Sequence, residues 1–202
     1  MTDQYTSKMV ELTSKRKKML DEGEAFLKVK RIELGVAKYF NLNVLISPEA
    51  RVNATETLKQ YLDHLTVEKK FYIEYHKTFL TEIIEISHLL TSKEKDRLLP
   101  HAINGLEENN VIRINVNQNK ALVVTKIQRV IDLFDSNQIT DDDLEAGVIG
   151  LDSYQDVEEL ESLMGEIETL DKETEELATL QKKRHIIGQN FIANFLNHFN
   201  NS

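Results

Sequence analysis

Two stretches of this sequence set side chains at a spacing that suits chemistry. The first holds Glu82, Glu85 and His88. A Glu-x-x-His step places carboxylate and imidazole on one helix face, and helical bundles that hold a metal pair use two such steps plus two further Glu. One step with Glu82 a turn earlier supplies half of that set, so the residues read as an exposed charged face and no metal is expected. The second stretch is 135–146. Asp135 and Asn137 match the first and third ligands of a calcium loop. The fifth position is Ile139, the glycine position is Thr140 and the bidentate Glu position is Ala146, which breaks the loop. Asp141, Asp142 and Asp143 then read as the first turn of a helix, where carboxylates meet the positive end of the helix dipole.

Other catalytic chemistry finds little material. The chain has no Cys, which removes disulfides, thiolate zinc sites, iron–sulfur ligation and cysteine nucleophiles. His64, His88, His101, His185 and His198 lie far apart in sequence, and His76 sits on an apolar stripe as a boundary histidine. No Gly-x-Ser-x-Gly, phosphate-binding loop or dinucleotide fingerprint occurs. The expectation is a non-enzymatic protein without a cofactor.

The elements that would position these residues are mostly helices. With 202 residues, seven Gly and two Pro, the chain suits long uninterrupted helices. Residues 3–40 carry Met9, Leu12, Met19, Leu20, Phe26, Leu27, Leu34, Ala37 and Phe40 at helical spacing, with Lys15-Arg16-Lys17-Lys18 among them. Asn41, Asn43, Ser47 and Pro48 mark a break. In 55–91, Leu58, Leu62, Leu65, Tyr72, Phe79, Ile83, Ile86 and Leu90 step by fours and threes, a heptad stripe in which Lys69 and His76 fill the gaps. Ser92 is a candidate cap for the next segment. From Ser153 a last helix carries a second seam: Leu160, Leu163, Ile167, Leu170, Thr174 and Leu177. Its tail presents Ile187, Phe191, Ile192, Phe195, Leu196 and Phe199 on one side.

Between the stripes the pattern changes. Short helices are expected at 93–99 and 100–109. Val111-Ile112-Arg113-Ile114-Asn115-Val116 and Ala121-Leu122-Val123-Val124-Thr125 flank Asn117-Gln118-Asn119. Two β-branched runs around an Asn-rich turn predict a hairpin, with a helix over 126–134 after it. The element order of 79–134 resembles a winged helix-turn-helix. Such a unit implies nucleic-acid contact through Arg113 and Lys120 on the hairpin. Its candidate recognition helix, 101–110, carries Glu107 and Glu108 and no Lys or Arg, so protein–protein packing is the preferred use.

Charge is distributed unevenly. Residues 135–176 hold sixteen Asp and Glu against Lys172, while 1–40 and 177–202 are each +3 and the total is −9. A basic first helix and an acidic last helix are expected to lie side by side. No apolar run reaches the ~18 residues that a spanning helix needs. The first residues also lack a basic stretch followed by an apolar core, so a cytoplasmic protein is expected. The fold expected is mainly α: an elongated bundle of coiled-coil helices carrying a small winged-helix-like module with one β-hairpin. It divides into N-terminal helices (1–78), the module (79–134), an acidic connector (135–152) and a C-terminal helix with its aromatic tail (153–202). The function expected is an assembly or adaptor subunit. It binds a protein partner or its own copies through Leu163, Ile167, Leu170, Leu177, Phe191, Phe195 and Phe199. The alternatives are a nucleic-acid-associated regulator that dimerises through its long helices, and a metal-dependent bundle enzyme built on Glu82, Glu85 and His88.

Overall fold

The computed structural model describes residues 2–140, 142 and 150–200, without the side chains of 2, 3, 185 and 187–200. Among these residues it is mainly helical, with four long helices and no strand: α1 (Thr2–Leu34), α2 (Pro48–Ile86), α3 (Ser92–Ser136) and α4 (Tyr154–Asn200). No described helix is long and apolar enough to cross a membrane. The chain divides into two compact units. Unit 1 comprises 1–26, 69–116 and 176–202, and unit 2 comprises 27–68 and 117–175.

The helix ends follow local chemistry. Gly35 ends α1 in the left-handed region, at φ 62°, where a glycine carries no Cβ penalty. Two 3-10 turns, Val36–Phe40 and Leu42–Ile46, then lead to α2. Pro48 opens α2, at a position where its missing N–H costs nothing. A 3-10 turn, Ser87–Leu89, closes it. The cap of α3 is Thr91 rather than Ser92. The Thr91 hydroxyl and N–H both donate to Glu94 Oε2, at 2.7 and 2.8 Å, while the Glu94 N–H reaches back to Thr91 Oγ1 at 3.4 Å. That is a capping box. Ser153 caps α4, its hydroxyl accepting from the Asp156 N–H at 3.1 Å and donating to Asp156 Oδ2 at 2.8 Å.

Unit 2 holds an extensive apolar core. Leu58, Tyr61 and Leu65 of α2 meet Val123, Val124, Ile127, Val130, Ile131 and Phe134 of α3. Leu45 and Ile46 of the second 3-10 turn close one side. Leu163 of α4 is buried there too, with Leu160, Ile167 and Leu170 packed against the cluster. Burying side chains of this size stabilises by about 1.5–3 kcal/mol each.

Unit 1 buries Tyr5, Leu12, Tyr72, Ile83, Leu90 and Ile112, together with Thr6, Arg16 and Ser87. Phe71, Tyr72, Tyr75 and Phe79 form an aromatic run along α2, with successive ring centroids 5.5 to 6.3 Å apart. The Phe71 ring lies over Gly23 of α1 and occupies the place where a Cβ would stand.

The β-hairpin and the winged-helix-like module are corrected by the structure. Residues 92–136, which include the expected short helices, hairpin and final helix, form the single helix α3. Ile112, Asn117, Val123, Val124, Ile127, Val130, Ile131 and Phe134 fall on its buried side. Packing at a period near 3.6 therefore overrides the strand preference of Val and Ile, which is weak and set by context. Asn117 is not a turn residue. It is 3% exposed, and its amide donates to Leu65 O at 2.9 Å and to Glu68 Oε2 at 3.4 Å.

Candidate interaction surface

Of the residues singled out for metal chemistry, Glu82 is held by structural bonds, whereas Glu85 and His88 are exposed. In unit 1, Glu82 accepts from the Arg16 guanidinium and from Lys15 Nζ. The Arg16 side chain is 5% exposed, so this carboxylate is the counter-charge of a buried cation. The Arg16 hydrogen bond holds the Glu82 carboxyl below the usual carboxylate range, with the charges of Arg16 and Lys15 adding to it against the opposing effect of burial. Lys18 pairs with Glu22 within α1. The basic cluster of α1 thus meets acids of α1 and α2. No group of three or more His, Cys, Asp or Glu able to hold a metal is found among the described residues. His76 is half-buried, with Nδ1 enclosed and without a hydrogen bond.

Asp135, the first residue of the broken calcium loop, serves in unit 2 as an anchor. Arg51 of α2, with a side chain 4% exposed, donates to Asp135 Oδ1 at 2.5 Å. Its remaining donors reach Leu45 O and Ile46 O at 3.1 and 2.7 Å and Ile139 O at 2.9 Å. One planar fork therefore ties the second 3-10 turn, the end of α3 and the segment after it. Asn137 extends the lock, donating to Leu133 O and accepting from the Asp152 N–H. Asp141 and Asp143 lie outside the described residues.

Arg113 and Lys120 share a helix rather than a wing. Arg113, in unit 1, lies over the Tyr72 ring at 5.7 Å and within 3.5 Å of Glu24. Lys120, in unit 2, stands close enough to His64 to affect its charge. The His64 imidazole lies below its ordinary pKa because burial disfavours the cation and Arg31 and Lys120 repel it, while Glu68 opposes the shift. His64 also stacks on Tyr61 at 6.1 Å.

The seam chosen on α4 is divided in use. Leu163 is buried and Ile167 packs on the unit 2 core, so both serve the chain's own packing. Leu177 is half-buried in unit 1. Phe191, Phe195 and Phe199 belong to the helical backbone of α4, and their side chains lie outside those described. Leu170 has a second role. With Leu122 and Lys126 of α3 and Ser162, Gly165, Glu166 and Thr169 of α4 it lines an open, mainly apolar groove of about 520 Å³.

The groove has a floor of small residues and a wall of large ones. Ser162, Gly165 and Thr169 are exposed on α4, and nothing lies within 4 Å of where a Gly165 Cβ would stand. Leu122 is 48% exposed. Lys126 pairs with Glu166 across the groove, and Arg129 donates to both oxygens of Glu159 at 2.5 and 3.1 Å. These bonds lower the Glu166 carboxyl and raise the Arg129 guanidinium. Lys126 and Arg129 are thus engaged by α4 carboxylates, while Lys172, about one turn beyond Thr169 on α4, is exposed. The surrounding helices add Asp132, Asp156, Glu158, Glu161 and Glu168. Unit 2 as a whole carries ten Lys and Arg against twenty-one Asp and Glu, a net −11.

Reading along the sequence located the acidic helix but missed the groove, Arg51 and Asn117. The signal for the groove was the Ser162, Gly165, Thr169 spacing, which sits beside the apolar seam on α4. No protein-family model, curated protein or solved structure matches this chain.

Proposed function

We propose that the protein is a non-enzymatic assembly or adaptor subunit that binds another protein chain through the outward side of its helices, with α4 as the principal element. The observation that carries this reading is the groove between α3 and α4 in unit 2. Its walls, Leu122 and Leu170, offer apolar area, and its floor lets a second backbone come close. Exposed Tyr154, Val157 and Met164 add apolar surface to α4. Single exposed apolar residues are ordinary on protein surfaces, whereas apolar walls around an open glycine offer a partner a place to insert. Three residues weighed for other chemistries fit the same reading: Glu82, from the metal alternative, Asp135, from the broken calcium loop, and Arg113, from the nucleic-acid alternative, each pair with a residue of another helix. The aromatic tail at Phe191, Phe195 and Phe199 belongs to the proposal as a second contact.

The test is purification at low salt from cells that make the protein, followed by mass measurement and reconstitution from purified components. The reading expects a companion chain in fixed stoichiometry and a complex heavier than the 23.4 kDa chain. A monomer with no stoichiometric companion contradicts it.

A further inference from the structure

The geometry points to a basic amphipathic helix of a partner protein as the occupant of the α3–α4 groove in unit 2. This rests on the assembly reading and adds the chemistry of the partner. Three features of the groove argue for it.

The first is shape. Ser162, Gly165 and Thr169 recur at steps of three and four along α4, so they form a shallow track parallel to the helix axis. A helix laid along such a track presents anchors at the same spacing. Open space above Gly165 gives one large side chain a seat between Leu122 and Leu170.

The second is apolar content. The walls are leucines, and Leu122 stays half exposed beside the empty space. An apolar anchor there would cover Leu122 and Leu170 together, whereas a wholly polar strand would leave both wet.

The third is charge. Lys126 and Arg129 are taken by Glu166 and Glu159, and Lys172 is an exposed cation about one turn beyond Thr169. The adjoining surface keeps exposed Asp132, Glu158, Glu161 and Glu168, and Glu173 meets Asn119. An acidic partner would be repelled and a neutral one would gain nothing from this field. A helix with Lys or Arg flanking its apolar anchor gains attraction and faster encounter. It could also exchange for Lys126 at Glu166.

The experiment titrates the full chain with three labelled peptides of about five helical turns. One is an amphipathic Leu/Lys helix. One has the same composition in an order that scatters the leucines. One carries Glu in place of Lys. Two variants probe the groove. Gly165→Leu sets a large side chain in the groove from a position where a Cβ meets no atom within 4 Å, and Leu122→Lys sets a cation on the wall. Helical content and melting temperature establish that both are folded. The amphipathic basic peptide should bind, weaken several-fold as salt screens the field, and lose about tenfold or more in affinity with either variant. The scattered and acidic peptides should bind far more weakly. Equal binding of the scattered peptide would reduce the effect to diffuse charge and overturn the inference. So would unchanged affinity in both variants. A doubling of mass that Gly165→Leu abolishes would make a second copy the occupant and overturn it too. A native complex that keeps forming with Gly165→Leu would remove this inference while leaving the assembly reading in place. The absence of any native complex, with the peptide still bound, would do the reverse.

Discussion

Arg51 shows how a single side chain is committed by the fold. Its fork satisfies three backbone carbonyls and one carboxylate in unit 2. Such groups are costly to leave unpaired, about 1–3 kcal/mol each when buried. Arg51→Met keeps much of the side chain's bulk and removes every donor. It should lower unfolding stability by about 3 kcal/mol, read as a drop in the urea midpoint at unchanged slope. A change within about 0.5 kcal/mol would mean that water replaces the guanidinium. Sequence reading did not find this residue, since a lone Arg at the start of a helix looks like any surface cation. Its partners lie up to 88 positions away, and no local spacing announces them. Asp135 was noticed for the opposite reason. Its neighbours imitate a calcium loop, although its carboxylate answers Arg51.

Among the elements, the heptad stripe of α2 was legible and α3 was not. Leu58, Leu65, Tyr72 and Ile83 are buried and Leu62, Phe79 and Ile86 partly so, as their spacing predicts, while Leu90 is buried past the end of the helix. Four-three steps of large apolar residues have one simple solution, a helix with one face covered. The seam of α4 through Leu163 was readable on the same grounds, whereas α2 starts at Pro48, inside the expected break and seven residues before the helix expected from 55. Residues 111–125 carry β-branched runs whose short length fits strand or helix equally well, and periodicity over five residues cannot decide between them. The deciding partners, the α2 face and the Leu65 carbonyl, are remote in sequence. Gln118 tests the outcome directly, because it is exposed and lies where the hairpin turn was expected. Inside a helix, Gln118→Gly should destabilise by about 1 kcal/mol. In an Asn-rich hairpin turn the same change would be neutral or stabilising. Thermal melts of the two proteins give the sign.

For the whole molecule, charge and packing are divided between the units. Unit 2 holds a continuous apolar core and a net −11, and unit 1 buries Arg16 with Glu82 in its interior and carries a net +2. The asymmetry was visible in the sequence as a run of acids in 135–176, but the expected compensation by the basic first helix is not what the described ion pairs show. Lys15 and Arg16 answer α2, while Glu159 and Glu166 answer α3. The acidic surface of unit 2 keeps a surplus of carboxylates around an apolar groove, and from this surplus the account of function proceeds. The most direct measurement places a photo-crosslinking side chain at position 122, in cells, in the native Gly165 background and with Gly165→Leu. The account predicts one discrete adduct with a partner chain, mapped to a basic amphipathic segment, and its loss when position 165 is filled. No adduct at 122, or one that persists with Gly165→Leu, would contradict it.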